Sequence, residues 1–438
     1  MHIKENIIKN NCLKNFPIKN HFKFKKSKQE DKMSINSIKK SMLNLTHKCV
    51  KYGVRALYYI GTYIFKPKDN IILFESSNGR NYTGNPRFIY EELLNQGLDK
   101  EYECVWALIN PSEQEIPGNP KKVKKSRFKF LYYTIKSGTW VLDSRHLYYL
   151  KKNKNTRYIQ TWHGTPLKKL GLDMDYVNMS GNQDIERYHE DFKKNSADWQ
   201  YLISQNSYSS EIFRRAFAFD GEMLEIGYPR NDILVNNNNK EYIDKIKIKF
   251  NIPRDKKVIL YAPTWRDNEY YDSGEYKFAT KMDFDQMKES LSEDYVLIVK
   301  YHYLVKDPID WEKYEDFIIE CDANWDIQEL YLASDILITD YSSVMFDYAI
   351  LRRPMLFFTY DLEFYKDSLR DFYFDMFEEV PGPIVENTTD LIDEIKKIND
   401  EDYEAKYGMK YDDFQRKYNE FDKGIASKRV VDIIKGTN

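Results

Sequence analysis

From residue 70 onward, short apolar runs alternate with longer stretches in which apolar side chains recur every three or four positions. The first runs cover residues 70–75, 104–109, 140–143, 157–162 and 201–204. After a turn at Gly227-Tyr228-Pro229-Arg230-Asn231-Asp232, a second series covers 257–262, 296–300, 335–340 and 355–358. Short uninterrupted apolar runs are the pattern of strands buried on both faces, as in parallel sheets. Segments 85–94, opened by Asn and Pro, and 327–333 read as helices between them. Two such series predict two α/β domains, each a sheet with helices on both sides. In such sheets ligands bind beyond the carboxyl ends of the strands.

The first 48 residues show no such pattern. They are polar and rich in Lys and Asn, and are expected to be mostly disordered. Residues 49–66 are apolar and aromatic, with Lys48, Lys51, Arg55 and Lys66 interspersed or flanking. That stretch is too short and too charged to cross a bilayer, but suits a helix lying in the lipid interface. A helix packed on the first domain is the competing expectation. Residues 67–225 then form the first α/β domain, and 226–438 the second, with C-terminal helices.

Charge sharpens this picture. The formal net charge of the 438 residues is -2. Residues 1–51 hold thirteen lysines against Glu5, Glu30 and Asp31, about +10, so the body is acidic. A mildly acidic body with a basic leader argues against nucleic acid and for an anionic membrane surface. Cys12, Cys49, Cys104 and Cys321 have neither zinc-site nor disulfide-framework spacing. No apolar signal-peptide core opens the chain.

Five polar clusters sit just past predicted strand ends. In Asp340-Tyr341-Ser342-Ser343 a buried strand runs into a predicted helix, placing two hydroxyls and free backbone N–H groups at the positive end of its dipole. Asp347, about one turn on, is expected to accept from a ribose or glycerol hydroxyl. Taken alone, Ser342 could equally be a helix cap. In Trp162-His163-Gly164-Thr165-Pro166, Gly164 allows close backbone approach and Pro166 is placed to open a helix. His163 titrates in the range that a general base needs, although a lone histidine is more often structural. Lys300-Tyr301-His302 follows a buried strand, and Lys300 and His302 would share one side. Pro263-Thr264 and the Arg230 turn complete the set. There is no P-loop, dinucleotide fingerprint, zincin or nucleophile-elbow motif.

These segments resemble the CDP-glycerol glycerophosphotransferase family, the teichoic acid primases and polymerases of Gram-positive bacteria. The resemblance rests on W-H-G-T-P-L-K-K-L-G, G-Y-P-R-N-D, Y-A-P-T-W-R-D, His302 and T-D-Y-S-S-V-M-F-D-Y, and runs from about Phe74 to Val430. It implies a GT-B-like fold of two Rossmann-like domains facing a cleft, 67–225 on the acceptor side and 226–438 binding the CDP donor, and a peripheral enzyme on the cytoplasmic face of the membrane. The implied donor is CDP-glycerol and the implied acceptor is undecaprenyl-diphosphate-linked. No cofactor is required, a divalent cation such as Mg is optional, and the oligomeric state is left open. By the resemblance, His163 deprotonates the acceptor, and His302 meets the diphosphate and the departing CMP. Ser342 and Ser343 bind phosphate, and Asp347 the glycerol or ribose. Trp162, Gly164, Thr165, Pro166, Arg230, Pro263, Thr264, Lys300 and Tyr301 line the donor pocket. Two departures bear on the donor: Lys300-Tyr301 stands where many relatives carry Arg and an apolar residue, and Asp371 replaces a usual Gly. The alternatives are ribitol phosphate transfer from CDP-ribitol, sugar transfer from a UDP-sugar, and an inactive nucleotide-binding module. Size suggests one or a few additions rather than long polymerisation.

Overall fold

The computed structural model describes residues 52–147, 150–176, 184–264, 281–300, 311–321, 325–361, 372–398 and 400–437. Residues 1–51, Tyr301, His302 and Asp371 lie outside the described residues. The chain divides into two compact units, residues 1–60 and 61–438. Residues 52–64 are helical.

The second unit is built on two sheets in which every pairing is parallel. The first contains β1 (Lys68–Glu75), β2 (Glu103–Leu108), β3 (Lys121–Lys124), β4 (Ser137–Leu142), β5 (Arg157–Gln160), β6 (Tyr201–Ser204) and β7 (Glu222–Glu225). Their order is β3-β2-β1-β4-β5-β6-β7. The second contains β8 (Lys257–Tyr261), β9 (Tyr295–Val299), β10 (Ile318–Glu320), β11 (Ile336–Thr339), β12 (Met355–Phe358) and β13 (Ile384–Val385), ordered β10-β9-β8-β11-β12-β13. Both sheets reverse their strand order once, between β1 and β4 and between β8 and β11. Such reversals open the crevice in which ligands of doubly wound sheets bind.

Alternation along β8 shows why the runs are apolar throughout. Val258 and Leu260 join the core on one face of the second sheet, while Ile259 and Tyr261 join the core on the other. The four strands that the sequence pattern did not predict are β3, β7, β10 and β13. All four are edges. In β3, Lys-Lys-Val-Lys, only Val123 is buried, and flanking lysines guard an edge against pairing with another chain.

One helix crosses between the layers. Ala426–Lys435 follows the second sheet in sequence, yet Val430, Val431, Ile433 and Ile434 pack in the core of the first, with Ile72, Phe74 and Trp106. The Arg157 guanidinium donates to the carbonyls of Ile433 (2.6 Å) and Ile434 (2.9 Å), satisfying acceptors that the helix end leaves open. The helix expected after Pro166 does not form. That segment runs extended instead: Lys168 bridges to Phe372, and the Tyr373 N–H donates to the Leu167 carbonyl at 2.9 Å.

Candidate active site

The carboxyl ends of β1, β4 and β5 meet at His163. Trp162 sits at φ 50°, a left-handed conformation that a bulky residue holds only under constraint. The constraint is Asn85, whose side-chain amide donates to the carbonyls of Thr161 and Trp162, both at 3.1 Å. Its oxygen accepts from the Arg230 N–H at 3.1 Å, so one buried side chain ties three segments together. The His163 ring stacks on Trp162 with centroids 4.6 Å apart.

His163 Nδ1 lies 2.8 Å from the Asp143 backbone carbonyl. A carbonyl only accepts, so Nδ1 carries the proton and Nε2 presents its lone pair. The Asp143 carboxylate is buried and accepts from the Ser77 N–H (3.0 and 2.9 Å) and the Ser144 hydroxyl (2.7 Å). Burial raises its pKa, opposed by the charges of His163 and Arg230 and by these hydrogen bonds. The Ser77 N–H is aimed at it by consecutive positive φ angles at Ser77, Asn78 and Gly79.

From the second sheet, the segment after β11 comes up against this loop. A Cβ on Gly164 would stand 2.8 Å from Ser343 Oγ and 3.3 Å from Ser343 Cβ, so the loop packs directly on the Ser343 side chain and an added methyl would force that side chain to move. Gly164→Ala is therefore expected to lose activity and about 1–3 kcal/mol of stability. Ser343→Gly in the same chain should restore the stability, as a double-mutant cycle of thermal melts will show. The helix beyond Ser343, Val344–Tyr348, has only five residues before a 3-10 turn at Ala349–Leu351. Ser343 makes no side-chain cap bond and Ser342 Oγ accepts only weakly, at 3.5 Å from the Val344 N–H.

Arg230 joins the two sides. Its guanidinium donates to the His163 carbonyl at 2.8 Å and pairs with Asp347 at 2.7 Å. Asp347 is buried and also accepts from Asn231 (2.9 Å) and Gln205 (3.4 Å), so its oxygens are engaged within the protein. Thr165 is likewise buried, its hydroxyl donating to Gln205 at 2.7 Å and accepting from Asn206 at 3.0 Å. The Pro166 carbonyl accepts from the Tyr208 hydroxyl. Farther along the second sheet, the Thr264 N–H, next to Pro263, donates to Asp340 at 2.8 Å, and the Lys300 amine donates to the Trp325 carbonyl at 3.0 Å. Trp162, His163, Gly164, Arg230, Ser343 and Asp347 thus converge. Among the described residues no group of three or more His, Cys, Asp and Glu is arranged to hold a metal ion.

Asn85, Asp143, Gln205 and Asp422 escaped the sequence reading. Asp143 alone had a signal: an acid ending a buried strand, as Asp340 does. Asp422 is a second acid in the Asp347 network, accepting from Gln205 (2.8 Å) and Asn419 (3.1 Å). Burial, together with the Asp347 charge, pushes its pKa up to about 6. Between the unfolded value near 4 and this one, the folded state binds the extra proton, so the Asp422 contribution is lost as pH rises through that window. The stability advantage of wild type over Asp422→Asn should therefore be larger at pH 4.5 than at pH 7.5, by on the order of 2–3 kcal/mol. Denaturation at the two pH values checks it.

The chain is similar to several known proteins. The chain is 42% identical over 412 residues to a teichoic acid poly(glycerol phosphate) polymerase of Bacillus subtilis strain 168, covering 93% of this chain and 54% of the relative. A polymerase of the same description from Staphylococcus epidermidis is 44% identical, with 87% and 52% covered. The chain thus spans about half the length of these two. It covers 93% of a teichoic acid glycerol-phosphate transferase of Staphylococcus aureus at 42% identity, with 84% of this chain matched. The solved structure of the wall teichoic acid polymerase TagF superposes with a TM-score of 0.82 at 41% identity, covering 92% of this chain and 98% of that one. Residues 58–436 match the sequence profile of one family across both sheets. The chain belongs to the CDP-glycerol:poly(glycerophosphate) glycerophosphotransferase family.

Proposed function

We propose that the protein transfers glycerol phosphate from CDP-glycerol to a hydroxyl of an undecaprenyl-diphosphate-linked teichoic acid precursor, releasing CMP. The observation that carries this reading is His163, its Nδ1–H tied to the Asp143 carbonyl, in the loop whose Gly164 packs against Ser343. His163 takes the acceptor proton as the acceptor oxygen bonds to the glycerol-bearing phosphorus. The bond from that phosphorus to the CMP oxygen breaks, and CMP leaves with the electron pair. Positioning and charge neutralisation supply most of the rate in such a displacement. Residues 67–225 serve the acceptor, and 226–438 the donor, in a GT-B-like pair facing a cleft. Ser342, Ser343, Lys300, Tyr301, His302, Pro263 and Thr264 serve the donor phosphates and nucleotide, and Arg230 and Asp347 hold the junction. Glycerol is favoured over ribitol because four glycerol phosphate polymerases and transferases are 42–44% identical and a glycerol-phosphate primase 35%, against 28–31% for the ribitol phosphate polymerases. Size carries no weight on chain length of the product, since the chain covers 92% of a relative described as a polymerase.

CMP release from CDP-glycerol and CDP-ribitol, with a lipid-linked disaccharide acceptor, tests the reaction. Acceptor-dependent release from CDP-glycerol is expected. Release from CDP-ribitol alone would change the donor, and release from neither would leave a nucleotide-binding module.

The same reading places the protein peripherally on the cytoplasmic face of the membrane. None of the described helices is long and apolar enough to cross a bilayer. On the helix 52–64, however, the outward residues are Leu57, Ile60 and Ile64, with Tyr52, Tyr59 and Tyr63 beside them. Leu57 and Ile64 are 70% and 67% exposed, where a water-facing helix would carry charge. Each such side chain contributes about 1.5–3 kcal/mol when buried. Leu57→Ser, Ile60→Ser and Ile64→Ser together should reduce co-sedimentation with anionic liposomes by at least tenfold. Undiminished binding at low salt would remove the helix from the membrane contact.

A further inference from the structure

A cavity of about 970 Å³ opens beside His163, and all its lining residues come from the first sheet and its loops and helices. Its walls include His163, Trp162, Arg145, Tyr188 and Phe192. Arg145 lies two residues past Asp143, in the loop whose carbonyl holds His163. Among the described residues its guanidinium has no carboxylate within 4 Å. Aromatic rings hold it instead, with centroids 4.5 Å away at Phe192 and 5.3 Å away at Tyr188. From Phe192 the packing continues to Phe217 (5.0 Å), then Trp162 (4.5 Å), then His163 (4.6 Å). A continuous ladder of rings therefore fixes the cation relative to the base.

A guanidinium held on ring faces keeps its N–H fork available, and such a fork matches the two unesterified oxygens of a phosphodiester. The remaining charged groups of the wall do not supply this. Arg187 is exposed with Asp191 at 4.0 Å, and Asp184 caps its own helix through the Glu186 N–H. His146 is buried and its pKa is pushed down to about 4, leaving it neutral. The geometry points to this cavity as the acceptor subsite, with Arg145 binding the phosphodiester adjoining the hydroxyl that His163 activates. The inference rests on the proposed reaction and adds to it a specificity device: an acceptor that already carries an alditol phosphate is held better than one that ends in sugar. The nucleotide is not the occupant, because Ser342, Ser343, Thr264 and Lys300 belong to the second sheet.

Two measurements test it. In the first, Arg145→Gln and Arg145→Lys are compared with wild type, using a lipid-linked disaccharide with and without one glycerol phosphate. Arg145→Gln should raise KM for the glycerol phosphate-bearing acceptor by about tenfold or more, with KM for CDP-glycerol within twofold. Arg145→Lys, which keeps the charge but not the fork, should fall between. Equal losses with both acceptors, or an unchanged acceptor KM, would overturn the inference. In the second, binding of a short poly(glycerol phosphate) oligomer is measured directly, without turnover. Wild type should bind it, more weakly as salt rises, and Arg145→Gln should bind it at least tenfold more weakly. Equal binding by both proteins overturns the subsite even if CMP is released. Binding that depends on Arg145 in a protein that releases no CMP overturns the reaction and leaves the subsite standing.

Discussion

His163→Ala is expected to cut acceptor-dependent CMP release from CDP-glycerol by about 10²- to 10⁴-fold, the range over which a positioned general base acts. The geometry makes this a clean test. His163 is exposed, and its Nδ1 makes a single hydrogen bond, to the Asp143 carbonyl. Removing that bond from an exposed ring costs about 1 kcal/mol, so the melting temperature should hardly move. Arg230 contacts only the backbone carbonyl of His163, which the substitution retains. The loss should therefore fall on kcat, with CDP-glycerol binding kept, as isothermal titration can verify. A variant that turns over within fivefold of wild type would end the assignment of His163 as base, and the acceptor proton would need another acceptor among the residues near the cleft.

The largest stability effect is expected at Asp347. Asp347→Ala should cost about 3–5 kcal/mol, because it leaves the Arg230 guanidinium buried without its counter-charge. Among the described residues Arg230 then keeps the His163 carbonyl and the face of the Tyr228 ring, neither of them an anion, and its Nε already lacks a hydrogen-bond partner. Asn231 and Gln205 lose an acceptor as well. Arg230→Met with Asp347→Leu should recover part of the loss, since replacing both ions removes the stranded charge. Recovery stays incomplete because Asn231 and Gln205 each lose one acceptor and keep only Asp422, at 3.4 and 2.8 Å. Urea unfolding followed by tryptophan fluorescence measures both variants. If Asp347→Ala were no less stable than the double variant, the pair would not be the electrostatic link between the two sheets.

The central strands were legible because a strand buried on both faces must be apolar along its whole length. Residues 201–204 and 355–358 coincide with β6 and β12, and 327–333 coincides with its helix. The edges were not legible, since all four pair on one side only: β3, β7 and β10 admit Lys or Glu, and β13 is only two residues long. Four residues of the loop clusters at strand ends, His163, Gly164, Arg230 and Ser343, meet in the structure. What the pattern could not convey was pairing across the fold. Asp347 looked available to a ligand, but Arg230, Asn231 and Gln205, between 116 and 142 residues away in sequence, engage it. Pro166 was expected to open a helix, but tertiary contacts with residues 372 and 373 hold its segment extended. Asn85 reads as a helix opener, and nothing local reveals that it also holds Trp162 in a strained conformation.

The helix Ala426–Lys435 has a consequence for how the protein is made. During synthesis the first sheet emerges complete by residue 225, yet one part of its core waits for side chains translated some two hundred residues later. Until Val430, Val431 and Ile434 arrive, Ile72, Phe74 and Trp106 lack that cover, whereas the core of the second sheet is complete with Tyr418. The nascent chain therefore cannot finish its domains in the order in which they leave the ribosome. The amino-terminal half is thus the last to close, and Ile72, Phe74 and Trp106 stay partly uncovered until that helix is made.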